Sequence, residues 1–266
     1  MRKILCVYFY FWLVTAYAGG LDLQSLFNDS RPARSPSETL ALLSVRDPQG
    51  YDIVTKLKNR DSMAIFASVP AVYVHECSHM LDIQLSKPGE HCFYMSPSST
   101  ISVPILKLMP RKVAGFFLSN DEKVMGYYST YLVEAGSEQG FEMLLEEFNA
   151  YSLDLNTSVC CRTDAGNTKT SARDGTVFFM RCIETYLQAL RQNPERWQRL
   201  YSERSYLVAI QNIWWRAERN LRLALPFDDL GISDGPILTS VYRQENLQHI
   251  IDTFANGGVT FSYQKP

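Results

Sequence analysis

The sequence predicts an α+β fold dominated by helices, with one small mixed β-sheet and extra helices towards the C-terminus. Apolar residues recur with helical spacing in most segments after residue 38. In contrast, the segment 91–118 carries Val, Ile and Phe between prolines, as short edge strands do. The chain has 266 residues, of which 46% are hydrophobic, and no internal repeat. A single domain with a sizeable core is therefore expected.

The N-terminus has the pattern of a signal peptide. Two basic residues precede an uninterrupted apolar run at 4–14, and an A-x-A sequence ending at Ala18 suits cleavage. The run is shorter than the roughly 20 apolar residues of a membrane-spanning helix, so a retained signal anchor is the weaker alternative. We expect a signal peptide at 1–18, a flexible leader at 19–37 and one domain at 38–266. The product would be secreted or periplasmic, without stable membrane insertion after cleavage.

Breaks in the helical pattern divide the rest of the chain into successive elements. Helices are predicted within 38–60 and at 68–85, 121–133, 137–155, 176–192, 194–225 and 239–254, with loops at 160–174 and 226–236 and a strand-like tail. We expect the first region to break near Asp47 and Gly50. A Pro-Gly pair after residue 85 ends the second. Asn193 and Pro194 supply an N-cap and a first helical residue for the helix at 194–225.

Export would place the cysteines in an oxidising compartment. Cleavage removes Cys6 and leaves five cysteines, an odd number, so we expect two disulfides and one free thiol. Cys77 is the expected free thiol because it lies within an apolar helix. The other four, whose pairing stays open, are Cys92, Cys160, Cys161 and Cys182. The sequence has no C-x-x-C pair, which argues against a structural zinc site.

Composition excludes some classes of function. The formal net charge is −2 and there is no Lys/Arg block, so the chain lacks the basic surface typical of nucleic-acid binding. It contains no G-x-S-x-G, P-loop or G-x-G-x-x-G motif. Asn28 and Asn156 each begin an N-x-S/T motif and would be glycosylation acceptors in a host that glycosylates.

The most informative stretch is the H-E-x-x-H motif that runs from His75 to His79. On a helix, residues four apart differ by about 40° in direction, so the two histidines share a face and can bind one metal ion. Glu76 lies about 100° from His75, where its carboxylate can hold a metal-bound water. Apolar neighbours predict a buried helix, in which an unpaired polar group costs about 1–3 kcal/mol. A zinc ion would satisfy all three side chains. The alternative is a pair of core histidines bonded to backbone or carboxylate groups.

A catalytic zinc ion also needs a third protein ligand and an open fourth position. His91, twelve residues after His79, does not fit the spacing H-E-x-x-H-x-x-G-x-x-H. The helix at 137–155 offers Glu146 and Glu147, and its apolar stripe distinguishes between them. Glu146 lies about 170° from the centre of the stripe and is predicted to face solvent, whereas Glu147 lies about 90° away, at the rim of the core. This geometry favours Glu147 as the third ligand.

These residues resemble a known family. The H-E-x-x-H motif looks like that of the zincin metallopeptidases, and a later helical Glu is typical of the gluzincin branch. The pattern H-E-x-x-H-x-x-D followed by E-F-x-A is similar to the catalytic domain of anthrax lethal factor and related exported bacterial peptidases. The resemblance covers about fifteen residues within 72–151. It implies a zincin-like domain in which the Glu before F-x-A, here Glu147, binds zinc.

The sequence departs from that family at two positions. Ser78 stands where Gly is common, which is a mild change. Tyr151 stands where the family often has a second carboxylate, so the identity of the group that supports a zinc-bound histidine is open. Asp82 or Asp154 could take that role, and an ordinary helix-surface Asp is the alternative for each.

The resemblance implies an exported zinc-dependent metallopeptidase that acts on a peptide or protein substrate, with Glu76 as general base. The oxyanion of the transition state needs a hydrogen-bond donor. The tyrosines that could supply it are Tyr127, Tyr128, Tyr131 and Tyr151. A secreted zincin-fold binding or effector protein without turnover is the alternative, and the intact Glu76 argues against it. A helical export protein with a purely structural histidine pair is a third hypothesis.

Overall fold

The computed structural model describes residues 35–57, 69–123, 126–161 and 172–256, together with Phe261 and Tyr263. The helices are α1 (Pro36–Arg46), α2 (Pro48–Leu57), α3 (Pro70–Leu85), α4 (Asn120–Lys123), α5 (Phe141–Cys161), α6 (Ala172–Arg191), α7 (Pro194–Ser202), α8 (Arg204–Ala224), α9 (Asp234–Val241) and α10 (Gln244–Asn256). The strands are β1 (Glu90–Ser96) and β2 (Ser99–Pro104). The predicted signal peptide and the Asn28 motif lie outside the described residues. α1 begins inside the segment predicted to be a leader.

Helices dominate the structure and a small sheet accompanies them, as the α+β prediction requires. Within the described residues the sheet consists of β1 and β2 alone, and they pair antiparallel, with His91 opposite Val103. The prediction of a mixed sheet is therefore wrong. The predicted β-like segment continues beyond β2, but Arg111–Phe117 folds as a 3₁₀ helix. A tight turn after Ser96 joins the two strands, and such a short connection permits only antiparallel pairing.

α1 and α2 meet at Asp47, where the sequence predicts a break. Ser35 caps α1 through a capping box with Glu38. Gly50, the second predicted break, lies within α2, and its backbone N–H donates to the Asp47 carboxylate at 3.0 Å. The Asn156 side chain donates to the same carboxylate at 2.7 Å. Asn156 is thus committed to an internal hydrogen bond, so its glycosylation motif is not presented to solvent.

α5 and α6 form the centre of the structure. Almost every residue of α6 is buried, and α5 is buried continuously from Leu144 to Ser158. α3 packs against α5, β1 and α2, and α8 packs against α5 and both strands. α5 begins at Phe141 rather than near 137, because Ala135–Glu138 forms a 3₁₀ turn first, and it continues beyond 155.

The C-terminal helices are more divided than predicted. The region 194–225 is two helices, α7 and α8, separated at Glu203, although the Asn193 cap is confirmed by its bond to the Arg196 backbone N–H. The region 239–254 spans the end of α9 and most of α10. Phe261 and Tyr263 are not in a strand, and the rest of the predicted strand-like tail lies outside the described residues.

The cysteines differ from the prediction. All five that follow the predicted signal peptide, Cys77, Cys92, Cys160, Cys161 and Cys182, are free thiols. Cys77 is free as expected, but the two predicted disulfides are wrong for this structure. Cys77, Cys92 and Cys182 are buried in the packing of α3, β1 and α6, while Cys160 and Cys161 are neighbours at the end of α5.

The described elements belong to one compact unit, Arg34–Pro266. None of the described helices is long and apolar enough to cross a membrane. The two elements that matter most for function are α3 and α5, which are in extensive contact.

Candidate metal centre

Three side chains from α3 and α5 converge at one point. His75 and His79 come from α3 and Glu147 from α5, and one atom of each lies within 4.8 Å of the others. The two Nε2 atoms are 3.2 Å apart. Glu147 Oε2 lies 3.7 Å from His75 Nε2 and 3.6 Å from His79 Nε2. Within the described residues this is the only such group of three or more His, Cys, Asp or Glu side chains. The structure thus brings together the three residues that the sequence predicts as ligands.

The triangle has the size that a metal ion requires. Zinc bonds of 2.0–2.1 Å at tetrahedral angles would place ligand atoms about 3.3 Å apart, close to the observed separations. Glu147 Oε2 is buried and has no hydrogen-bond partner among the described residues. Burial raises the pKa of Glu147, but the nearby imidazoles of His79 and His75 lower it far below its ordinary range. An ionised carboxylate oxygen that faces two imidazole nitrogens is a donor set that fits a cation.

The sequence wrongly predicts Glu146 to face solvent. Glu146 is buried, with 1% of its surface exposed, and its Oε1 lies 2.7 Å from His79 Nδ1. A carboxylate can only accept a hydrogen bond, so His79 Nδ1 is the donor. When His79 is neutral, its single proton therefore sits on Nδ1, and the Nε2 lone pair is on the side of Glu147. Burial lowers the pKa of His79, but the carboxylates of Glu147 and Glu146 raise it well above its ordinary value. Glu146 is therefore a site residue, and the helical stripe did not reveal it.

The Nδ1 atom of His75, unlike that of His79, has no carboxylate oxygen within hydrogen-bond distance. It lies 3.8 Å from Asp154 Oδ2, beyond hydrogen-bond distance, and the His75 ring makes an edge contact with Tyr151 at 4.5 Å. Ser158 donates to the other Asp154 oxygen at 3.1 Å. Burial raises the pKa of Asp154 to about 6, although the charge of His75 lowers it. Of the two Asp residues that the sequence proposes, Asp154 is the one that faces a ligand histidine.

Asp82 has a different role. Its carboxylate accepts from the Tyr94 backbone N–H at 2.7 Å and from the Asn149 side chain at 3.2 Å. Burial and the Glu146 charge raise the pKa of Asp82 well above its ordinary value. Asp82 forms no hydrogen bond to a histidine among the described contacts. It joins the metal-site helix α3 to β1 and α5 instead.

Glu76, the predicted general base, is half-buried on α3 beside His75. Its partial exposure separates it from the fully buried residues on the other faces of α3, such as Val74 and Cys77. Glu76 directly follows His75 in the chain and is partly exposed, as a group that exchanges protons with solvent must be.

The tyrosines form an aromatic cluster behind His75. The Tyr131 and Tyr151 hydroxyls are 3.1 Å apart, and Tyr127 packs edge-on against Tyr151. Tyr128 stands apart from this pair, under the ammonium group of Lys123. Tyr151 is completely buried and Tyr131 nearly so. The choice of an oxyanion donor stays open among the four.

Arg111 is a residue that sequence reasoning missed. It is buried, its Nη1 lies 3.8 Å from Glu147 Oε1, and its Nε donates to the Tyr131 carbonyl at 2.9 Å. Burial lowers its pKa, which Glu147 raises in part. Gly136 gives it room, since a Cβ there would lie 2.1 Å from Arg111 Nη2. Nothing in the local sequence marks Arg111, because only the fold brings it to the glutamate.

The remaining histidines separate into one near the site and one away from it. His91 is buried on β1, and its Nε2 lies 3.2 Å from Glu146 Oε2. It is not part of the group that could hold a metal ion, but it contacts Glu146, which lies against His79. His249 lies on α10 beside Arg191, at 3.2 Å, and takes no part.

The chemistry of the site is that of a three-ligand metal centre with nitrogen and oxygen donors. Two imidazoles and one carboxylate suit zinc and several other divalent transition metals. Comparisons of the chain with protein families, with curated proteins and with solved structures find no match. The functional interpretation therefore depends on the residues of the site.

Proposed function

We propose that the protein is a zinc-dependent metallopeptidase in which His75, His79 and Glu147 bind the ion and Glu76 is the general base. The observation that carries the proposal is the spacing of the three ligand atoms, 3.2–3.7 Å, around a buried carboxylate oxygen with no other described partner. Three protein ligands leave a fourth position for water or substrate, which is typical of catalytic rather than structural zinc sites.

When bound, zinc supplies Lewis acidity, which lowers the pKa of an attacking water and polarises the scissile carbonyl. The chain provides the proton transfer. The Glu76 carboxylate accepts a proton from the attacking water and returns it to the leaving amine. Glu146 keeps His79 in the tautomer whose Nε2 is free to bind the ion, since His79 Nδ1 lies 2.7 Å from its carboxylate.

A peptide or protein substrate follows from the resemblance of the H-E-x-x-H and E-F-x-A motifs to zincin peptidases. The zincin-like fold and export by the N-terminal signal belong to the same proposal. The free thiols give no support for an oxidising compartment. The proposed export therefore rests on the N-terminal signal sequence alone.

The test compares wild-type protein with Glu76→Gln and, as a matched control, Glu245→Gln, which removes the same charge from an exposed position of α10. Each is loaded with zinc and assayed on a library of quenched fluorescent peptides, with zinc content measured in parallel. We expect Glu76→Gln to keep the zinc and lose at least about 100-fold in kcat, because it removes the general base. Glu245→Gln should match wild type.

Two results would contradict the proposal. Peptide cleavage by Glu76→Gln at the wild-type rate would exclude the mechanism. Zinc binding by all three proteins with no cleavage of any peptide would favour the secreted binding or effector protein without turnover.

A further inference from the structure

Glu146 is shared between two histidines from different elements. One carboxylate oxygen lies 2.7 Å from His79 Nδ1 on α3, and the other lies 3.2 Å from His91 Nε2 on β1. The glutamate belongs to α5 and exposes 1% of its surface. A single buried carboxylate on α5 therefore contacts two other elements, α3 and β1, at the edge of the metal centre.

Burial of the Glu146 carboxylate is energetically costly unless other groups replace its hydration. A carboxylate is rarely buried without partners, because it loses its hydration. Oε1 contacts His79 Nδ1 at hydrogen-bond distance, whereas Oε2 lies 3.2 Å from His91 Nε2 without hydrogen-bond geometry. His91 is itself buried, and its ring packs against Phe93 with the centroids 4.7 Å apart. The strand that carries it is tied to α3 by the bond from the Tyr94 backbone to Asp82.

The two ligand histidines are supported unequally. His79 Nδ1 is 2.7 Å from a carboxylate oxygen, whereas His75 Nδ1 is 3.8 Å from one and lacks a hydrogen-bond partner among the described residues. The orientation and tautomer of His79 are thus determined by a hydrogen bond, whereas the orientation of His75 depends on packing against Tyr151.

We infer that Glu146 is a positioning residue for the metal centre: it orients His79 through Nδ1, and the His91 ring packs against its second oxygen. The inference rests on the proposed metal site and assigns functions to two residues outside the ligand set. According to this inference, the two adjacent glutamates of α5 have different roles: Glu147 binds the ion, and Glu146 aligns the ligand His79. His91 then affects the metal site only indirectly, through its contact with Glu146.

The test is the affinity for zinc and cobalt(II), measured by chelator competition on the full chain. Glu146→Gln should bind each metal about 10–100-fold more weakly than wild type, in line with the loss of other carboxylates that support metal-bound histidines. His91→Gln should give a smaller loss, because its contact with the metal site passes through Glu146. Glu245→Gln is the control and should bind as wild type does. The absorption spectrum of the cobalt(II) form should shift in Glu146→Gln and not in the control.

The outcomes separate this inference from the proposed function. If wild-type protein binds no metal, the proposed metal site fails and the inference fails with it. If wild type binds and folded Glu146→Gln binds equally tightly, with an unchanged cobalt spectrum, the site stands and the inference is overturned.

A measurement on wild-type protein covers the case in which Glu146→Gln does not fold. Nitrogen-15 spectra of the zinc-loaded protein report which ring nitrogen of each histidine carries a proton, and His91→Gln identifies the His91 signals. We expect a protonated Nδ1 on His79, shielded from exchange with solvent. Zinc bound to His79 through Nδ1, or a rapidly exchanging Nδ1 proton, would overturn the inference.

Discussion

Two neighbouring glutamates illustrate how strongly a residue's role depends on its direction. Glu146 and Glu147 are adjacent on α5, and successive helical residues point about 100° apart. Glu147 Oε2 therefore faces the two imidazole Nε2 atoms, while Glu146 Oε1 meets His79 from its Nδ1 side. Both acids therefore lie against buried histidines, Glu147 on the Nε2 side of both rings and Glu146 on the Nδ1 side of His79.

The first prediction concerns the ligand role of Glu147. Glu147→Gln replaces an ionised oxygen by a neutral amide and should weaken zinc binding by more than about 100-fold, more than the loss of a supporting residue does. Chelator competition measures the change, and Glu245→Gln is the matched control. Wild-type affinity in Glu147→Gln would exclude it from the ligand set.

The sequence was sufficient to predict the three residues that converge in the structure, but not the residues that surround them. The i, i+4 histidines and the rim position of Glu147 need only helical geometry. Glu146 was assigned to solvent because a single apolar stripe implies one buried face. In fact α5 is buried on all sides between α3, α6 and α8, so every direction leads to protein. Arg111 and His91 reach the site from distant segments, and no local pattern reports such tertiary contacts.

At the scale of elements, the site depends on close packing between α5 and α6. A Cβ added to Gly175 of α6 would lie 2.2 Å from Tyr151 Cδ1, so only glycine allows the ring to take its position. The Tyr151 ring in turn packs against His75. Element boundaries were harder to predict where the break is not marked by Gly or Pro. The apolar spacing of 194–225 continues across Glu203, where the structure separates α7 from α8.

The second prediction tests this packing. Gly175→Ala should destabilise the protein by about 1–3 kcal/mol, as overpacking of a dense core does, and should also weaken zinc binding through His75. Urea unfolding measures the first effect. The control is Gly235→Ala on α9, where an added Cβ meets nothing within 4 Å and stability should change by less than about 1 kcal/mol. Equal stability of both variants would argue against the role of Gly175.

Arg216 also holds elements together, since its hydrogen bonds join α8 to α5 and β1. Its guanidinium donates to Asn149 Oδ1, to Ser152 Oγ at 2.8 Å and to the Met95 carbonyl at 3.4 Å. Burial lowers its pKa to about 10, so it stays charged at neutral pH. Asn149 also donates to Asp82, which connects this network to α3.

The third prediction follows from that network. Arg216→Met should destabilise the protein by about 3 kcal/mol, because it leaves several buried acceptors without a donor. Arg219→Met, on an exposed position of the same helix, should stay within about 0.5 kcal/mol of wild type. Urea unfolding distinguishes the two. A loss below 1 kcal/mol in Arg216→Met would show that the network contributes little.

At the scale of the whole molecule, the proposed metal site predicts that metal binding and folding are linked. The ligands come from α3 and α5, two elements of the central packing, so the site exists only in the folded chain. A ligand that binds the folded state alone stabilises it in proportion to the logarithm of its concentration. The overall α+β class could be predicted from pattern alone, whereas this coupling requires knowing which helices touch.

The fourth prediction quantifies the linkage. Free zinc at 100 times its Kd should stabilise the protein by about 2.7 kcal/mol, which for a unit of this size raises Tm by roughly 5–11 °C. A chelator should reverse the shift. Glu76→Gln should keep the shift, because Glu76 is not a ligand, and Glu147→Gln should lose most of it. Equal shifts in Glu147→Gln and wild type would indicate zinc binding elsewhere.

The most direct test of the central claim is the metal content of the purified protein after exposure to zinc, by inductively coupled plasma mass spectrometry. The three-ligand site predicts about one zinc ion per chain in wild type and in Glu245→Gln, and a clear loss in Glu147→Gln. No bound metal in wild-type protein, even at excess zinc, would contradict the account. His75, His79 and Glu147 would then be a structural cluster, and the metallopeptidase proposal would be abandoned.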